Sequence, residues 1–461
     1  MALSDILYNL PEVKKPVEKK LSFNTKLKWT LVVLGAFFIL ANIPLYGLSK
    51  NALSQFEFVQ LIFATEFGSI ISLGIGPIVM SSIILQLLVG SGIFSIDTKT
   101  PEGRKYFQAL QKLGIFFFII FEALVYVLMG GLQAAPGYTG LLIFQLILGG
   151  LAIMFLDEVV QKWGFGSGVS LFIVAGVSWA LFTGLFQFIG PAGENCLVDF
   201  SNTPCSGKIL VILQSLISGV PTELLVALSA IIVTTAIFLL IVWAQSLKVE
   251  IPLSYERLRG YGMKWPLAFF YASNIPVILT GALVANIQLF GTLLQTWLGH
   301  PTFVGGFSQG IASSGFAYWI SSPNIVEAIV RGNLAYSMIL QTFLHLLFYV
   351  VLSAIFAVFW VKTSGMDESA QAKNILSSGL QIAGFRKDPR VLESILKRYI
   401  LPLTIMGGIA VGALAAIANS LGAITSGTAL LLAITIVYQL YQNIAQQHAL
   451  DMHPALRKFI N

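Results

Sequence analysis

Charge is the scarcest ingredient of this chain: Asp, Glu, Lys and Arg together supply 10% of its 461 residues. A soluble domain of that length needs a far more polar surface, so the scarcity excludes an ordinary water-facing globule. Histidine is sparse too. His300, His345, His448 and His453 show no metal-ligand spacing, which leaves them surface or packing roles. No Gly-rich phosphate loop followed by Lys and Ser or Thr occurs, so nucleotide hydrolysis by this chain is not expected. With no catalytic, cofactor-binding or metal constellation, an enzyme is the least supported class. The only cysteines, Cys196 and Cys205, share one loop; their spacing admits either a disulfide staple or two free thiols.

Apolar residues fill the space that charge leaves, at 56% of the chain, with a mean hydropathy of +0.83. Stretches near the roughly 20 residues that cross a hydrocarbon layer recur from Leu27 to Gln447. They are too continuous for the alternation of a membrane barrel, so the fold class is an all-α integral membrane protein. The first 26 residues carry Pro11, Pro16, Lys14, Lys15, Lys19 and Lys20 and no long apolar run, so no cleavable signal peptide is expected. Leu3 to Leu10 has helical apolar spacing suited to lying flat on the bilayer.

The basic residues set the topology. Loops on one side hold 24 of the 27 Lys and Arg, and the opposite loops hold only Lys50, Lys208 and Arg331. The positive-inside rule makes the rich side cytoplasmic, with both termini inside. Crossings then fall near 27–47, 76–92, 106–130, 139–160, 168–188, 222–246, 267–296, 334–361, 399–419 and 424–446. Ten transmembrane helices divide into two halves, 1–206 and 207–461, each with five spans. Five is odd, so the halves insert with opposite orientation, as inverted repeats do. The second span of each half carries a helix perturber, Gly76-Pro77 in one and Asn274-Ile275-Pro276 in the other. Long cytoplasmic loops are expected at 247–265 and 362–398.

Two apolar surpluses do not fit simple spans. Between Lys50 and Lys99 the charge map allows one crossing, yet the apolar run is longer. The surplus, from about Phe56 to Leu73, predicts a half-helix dipping in from outside and buried against protein. Its Glu57 and Glu66 favour burial in the bundle or contact with a wet cavity. From Ile209 to Gln245 a second surplus is broken at Gly219-Val220-Pro221, which predicts a helix along the outer surface before the span proper. A further outer patch, Gly315 to Ile320, is apolar enough to be partly embedded.

These features suit a conduit or a carrier. Coupled transporters commonly place ionisable groups at mid-membrane, and the spans here hold few: Glu122 in the third, with Asp157 and Glu158 at the cytoplasmic end of the fourth. A secondary transporter of small solutes with inverted repeats is the alternative, and an insertase or scaffold without a through-pore is a second.

The residues Ser-Leu-Gly-Ile-Gly-Pro-Ile-Val at 72–79, running on to Gln86 through Gly92, carry a resemblance. Tyr271 to Leu279, Gly384 to Arg390 and the tail His453 to Leu456 extend it in the right order. Together they resemble the SecY family, the alpha subunit of the protein-conducting Sec translocon, in its archaeal form. The resemblance implies a gated, passive channel with a central hourglass pore, which moves secretory polypeptides across the cell membrane and releases membrane segments sideways into lipid.

The implied waist ring maps to Ile75, Val79, Val169, Ile173, Ile278 and Leu432, where aliphatic groups give ions no ligand and dewet when narrow. Val169 is smaller than the isoleucine often found there, which bears on how tightly the ring seals. The implied plug runs from about Phe56 to Gly68 and includes Glu57, Phe63, Glu66 and Phe67. The implied lateral gate includes Glu122, Asn286 and Pro276, with polar groups placed to hydrogen-bond across the closed seam. Ribosome contact is implied at Arg257, Arg259, Arg386 and Lys387, whose charge suits ribosomal RNA. The implied partners are SecE, a small Secβ-type subunit, the ribosome with the signal-recognition targeting machinery, and the nascent polypeptide, all in a lipid bilayer. No cofactor is implied.

Overall fold

An apolar run in hydrocarbon folds as a helix because a helix satisfies its own backbone donors and acceptors. The computed structural model describes residues 10–18, 21–54, 56–90, 92–94, 96, 100–190, 193–198, 200, 203–255, 262–272, 274–308, 310–377, 380–382 and 389–452. The first group of elements is α1 (Phe23–Ala41), β1 (Leu48–Asn51), α2 (Glu57–Phe63), α3 (Gly76–Gly90), α4 (Pro101–Leu128), β2 (Leu132–Ala134), α5 (Thr139–Trp163) and α6 (Gly168–Phe186). The second begins with α7 (Lys208–Ser218), α8 (Pro221–Gln245), β3 (Lys248–Tyr255), β4 (Gly262–Ala268) and α9 (Ile275–Leu298). It continues through β5 (Gly306–Ser308), β6 (Ile311–Ser314), α10 (Gly315–Ile320), α11 (Ile325–Val330) and α12 (Tyr336–Thr363). It closes with α13 (Glu368–Ser377), β7 (Leu380–Ile382), α14 (Pro389–Ser420) and α15 (Gly427–Met452).

Among the described residues nine helices are long and apolar enough to cross a membrane: α1, α4, α5, α6, α8, α9, α12, α14 and α15. The expected second span is α3, which has only 15 residues. At 1.5 Å per residue it reaches about 22 Å, short of the hydrocarbon thickness. It is wedged between helices rather than bathed in lipid: α4 lies on one side, and α9 and α12 on the other. Elsewhere α1 packs on α5, α6 on α15, and α12 on both α9 and α14.

Several boundaries differ from the hydropathy reading. The first span starts earlier and stops sooner than 27–47, because Ser22 accepts the Thr25 amide and nucleates α1. Its apolar tail instead leaves the helix, with Pro44 bridging Ser69 and β1 pairing with β2. The seventh span starts at Ile275, not 267, because Gly262–Ala268 pairs as a strand with β3. The ninth extends ten residues before 399, since a helix can continue past the hydrocarbon on charged turns. Both helix perturbers sit in first turns, Gly76-Pro77 opening α3 and Ile275-Pro276 opening α9, where proline's missing donor costs nothing. The helix expected before 221 forms as α7, and the apolar patch at 315–320 proves to be a short helix, α10.

The two long loops prove to share a base. Leu253, Ser254 and Tyr255 of β3 pair with Ile382, Gln381 and Leu380 of β7, giving a three-stranded sheet with order β4–β3–β7. Beneath it sits a second apolar core, built from Ile251, Leu267, Ile375, Leu396 and Ile400 among others, separate from the main one. At the other end of the bundle Cys196 and Cys205 are joined as a disulfide, which resolves the choice their spacing left open.

Candidate pore and plug site

The predicted half-helix exists but is shorter than 56–68: α2 spans only Glu57–Phe63. It stops because Ala64 turns left-handed, at φ +46°, a conformation that costs a non-glycine residue about 1 kcal/mol. The chain then returns through turns to Ile75. Three bonds hold that return. The Ile75 amide donates to Phe63 O at 2.8 Å. Thr65 Oγ1 donates to Ile71 O at 2.7 Å. Asn51 Nδ2 donates to Phe67 O at 2.7 Å, tying the loop to β1. Gly74 is required here twice over: its φ is +52°, and a Cβ would lie 2.3 Å from Phe63 O.

Val59, Ile62 and Phe63 point into the bundle and are buried, an effect of about 1.5–3 kcal/mol per side chain. Ile62 lies against Gly281 of α9, and α2 also touches α6. Phe56 stacks edge-on to Phe307, and Phe67 to Tyr126. Glu57 and Glu66 are exposed rather than buried in the bundle.

The six aliphatic positions all belong to the main apolar core. Ile75, Val79, Ile173, Ile278 and Leu432 are buried in one apolar cluster, with Val169 packed against it. They arrive from four places: the entry to α3 and the first two turns of α6, α9 and α15. One positioning residue escaped the sequence reading. Asp157 was noted only as a charge near a span end, yet its Oδ1 accepts the Val169 amide at 3.0 Å and so caps α6 where two of the six begin. Gln161 steadies its other oxygen at 2.7 Å. Gly168 permits this approach, since a Cβ there would meet the Asp157 Cα at 2.5 Å.

The three implied gate positions do not bond to one another among the described residues. Glu122 is 1% exposed, lies beside Gly76, and neither carboxylate oxygen has a hydrogen-bond partner among the described residues. Asn286 donates to Ala282 O within its own helix, at 2.9 Å, rather than to Glu122. Pro276 opens α9. Arg257, Arg259, Arg386 and Lys387 lie outside the described residues, as does nearly all of the Leu3–Leu10 patch.

At the basic end Glu158 pairs with Lys112 of α4 and, at 3.5 Å, with Lys162. It also accepts the Val13 amide at 2.9 Å, and Trp163 Nε1 donates to Lys14 O at 2.9 Å. The N-terminal arm is thereby fastened to the end of α5. Its Glu12 also pairs with Lys162, whose hydrogen bond holds that carboxyl below the usual range.

A polytopic helical membrane protein with a short helix, α2, seated in its bundle has the architecture of the membrane channels. The SecY family model matches residues 69–441, and the model described as the plug domain of Sec61p matches residues 36–68. The chain is 44% identical to the protein translocase subunit SecY of Methanothermobacter thermautotrophicus, covering 98% of this chain and 96% of that one. It is 40% identical to the same subunit of Methanocaldococcus jannaschii, over 100% and 99%. Among solved structures, a protein conducting channel superimposes with a TM-score of 0.82 at 39% identity, covering 99% of each chain. Sec61 in the canine ribosome–channel complex from the endoplasmic reticulum gives 0.79 at 39%, again over 99% of both. This chain belongs to the SecY family.

Proposed function

We propose that this chain is the pore-forming subunit of a gated protein-conducting channel that passes secretory polypeptides across the membrane and releases membrane segments into lipid. The observation that carries the reading is the seating of α2: its last carbonyl, Phe63 O, accepts the amide of Ile75, the first of the six waist positions. Ile75, Val79, Val169, Ile173, Ile278 and Leu432 act as a yielding apolar ring, and α2 with its return loop acts as the plug. The alternative of a small-solute transporter is set aside, because the family is a protein-translocation channel. The chain catalyses no reaction of its own; a partner supplies the driving force.

Residues 1–206 and 207–461 serve as the two inverted halves, with α3 and α9 as corresponding helices, each opened by a proline in its first turn. The halves part along α3, where it meets α9 and α12, and this seam is the lateral gate. On the α4 side of α3, beside Gly76, Glu122 has a carboxyl without a hydrogen-bond partner among the described residues, free to bond once the seam opens. The end with β3, β4 and β7 faces the cytoplasm of a cell membrane, as the basic residues argue. The disulfide at the other end agrees, because disulfides persist outside.

The loops that carry Arg257, Arg259, Arg386 and Lys387 spring from one sheet, which suits a single ribosome-docking platform. A SecE-type and a small Secβ-type subunit, with the targeting machinery, complete the assembly. The test is single-channel conductance in planar bilayers, comparing the intact protein with one lacking residues 56–68. A silent intact protein and a flickering, leaky deletion are expected. Silence from both, with labelled small solutes still exchanging, would return the transporter reading.

A further inference from the structure

The two halves share a short stretch of sequence where their last spans begin. Ser167-Gly168-Val169-Ser170-Leu171-Phe172-Ile173 opens α6, and Ser426-Gly427-Thr428-Ala429-Leu430-Leu431-Leu432 opens α15. Serine, glycine and leucine coincide, and the waist positions Ile173 and Leu432 both stand five residues after the glycine. As the fifth spans of their halves, α6 and α15 are corresponding helices of an inverted pair. Each glycine is the first residue of its helix and lets the preceding span come close. A Cβ on Gly168 would lie 2.5 Å from Asp157 Cα, and one on Gly427 would lie 2.2 Å from the Ala418 carbonyl carbon and 2.4 Å from the Asn419 nitrogen.

The close approach carries the same bond in both halves. The amide of Val169, second residue of α6, is accepted by Asp157 Oδ1 of α5 at 3.0 Å. The amide of Thr428, second residue of α15, is accepted by Asn419 Oδ1 of α14 at 2.8 Å. Each is one of the donors that a helix leaves unsatisfied at its start. The other atom of each capping group is held too. Gln161 donates to Asp157 Oδ2 at 2.7 Å, and Asn419 Nδ2 donates to Thr428 Oγ1 at 2.7 Å. The two serines do less: Ser167 makes no side-chain bond to its helix, and Ser426 Oγ reaches the Ala429 amide only at 3.5 Å. Both helix starts are therefore capped by a side chain of the preceding span more firmly than by their own first serine.

We infer that Asn419 is a positioning residue of the waist and the counterpart of Asp157, the two caps setting the height of Leu432 and Ile173 along the pore. The inference rests on the proposed channel reading, in which these side chains form the seal. At 1.5 Å per residue each waist side chain lies about 7.5 Å along its helix from the capped end. On the proposed orientation α6 runs outward and α15 inward. One cap then stands on the cytoplasmic side of the waist and the other on the outer side, and the ring is held from both faces. Losing a cap frees the first turn of one helix and lets that helix's waist side chains leave the ring: Leu432 for α15, Val169 and Ile173 for α6. A residue that merely packs at the end of α14 has no such link to one waist position.

The experiment records single channels in planar bilayers from the protein lacking residues 56–68, purified with the subunits that accompany it, because there the waist alone seals. Asn419→Ala should raise the frequency of openings about fivefold, the population shift that loss of a cap produces, and Asp157→Ala should do likewise. Asn419→Asp and Asp157→Asn, each copying the other half, should restore the parent frequency. The telling readout is coupling. In a Leu432→Ala background Asn419→Ala should add nothing, while Asp157→Ala still adds its full effect. Equal additions by both would overturn the inference, as would an Asn419→Ala channel that opens no more often than its parent. An Asn419→Asp channel as leaky as Asn419→Ala would overturn it too. Should Asn419→Ala fail to fold, Thr428→Val, which removes only the acceptor of Asn419 Nδ2, must show the same dependence on Leu432 at a smaller size; an effect independent of Leu432 overturns the inference. A deletion that stays silent removes the waist and its caps together, whereas a leaky deletion indifferent to the caps removes the caps alone.

Discussion

Two short apolar helices, α2 and α7, stand at the same end of the molecule and meet opposite fates. In α2, Val59, Ile62 and Phe63 turn inward and are buried. In α7, Leu213, Leu216 and Ile217 turn outward and stay exposed. Hydropathy reads both as surplus that fails to span. The polar groups around them decide the difference. The return from α2 is pinned by Thr65 and Asn51 to backbone carbonyls inside the bundle. The polar side of α7 is claimed by its own loop through Gln214, which leaves the apolar side for the surroundings. Short polar anchors, more than apolar content, choose which way such a helix faces.

The comparison can be broken most severely at Gly74. Gly74→Val forces a side chain onto Phe63 O at a left-handed φ, so α2 should lose its seat and planar bilayers should show a persistent leak. A silent Gly74→Val channel would mean that the Ile75–Phe63 bond does not hold the plug. Thr65→Val is milder. It strips the Ile71 carbonyl of its donor at a cost of about 1–2 kcal/mol, and leak events should become about tenfold more frequent, at 1.4 kcal/mol per factor of ten. Ala64→Gly works in the other direction. Glycine relieves the left-handed turn by up to about 1 kcal/mol, so leak frequency should fall and thermal unfolding should shift upward. The smallest effect is expected from Leu216→Gln in α7, which should leave conductance unchanged. A leak from that variant would show that the two helices are coupled after all.

Much of this was legible in the sequence, and the failures have physical causes. Spans announced themselves by length, and the half-helix by a crossing count that charge imposed independently of hydropathy. Its true end at Phe63 was not legible, because nothing in Ala64-Thr65 marks a left-handed stop where glycine would be usual. The start of α9 was misplaced because Trp265 to Phe270 reads equally well as strand or helix, and periodicity cannot arbitrate short apolar runs. Only a long-range pairing with β3 decides it. The same non-locality hid the sheet that joins the two basic loops. Six aliphatic waist positions among so many aliphatics carry no mark of their own, and only the resemblance singled them out. Asp157 was visible as a charge, but its role as the cap of α6 depends on a turn that brings Val169 back beside it.

The bond between Ile75 and Phe63 has a mechanical consequence. On the proposed reading one residue belongs to both barriers: its amide latches the plug, and its side chain lines the waist. The barriers are therefore wired in series through a shared hinge. A polypeptide thick enough to push Ile75 aside strains the latch in the same motion, whereas an ion that slips past the waist leaves the latch untouched. Cargo size, and not merely cargo presence, then becomes the signal that unlocks the passage.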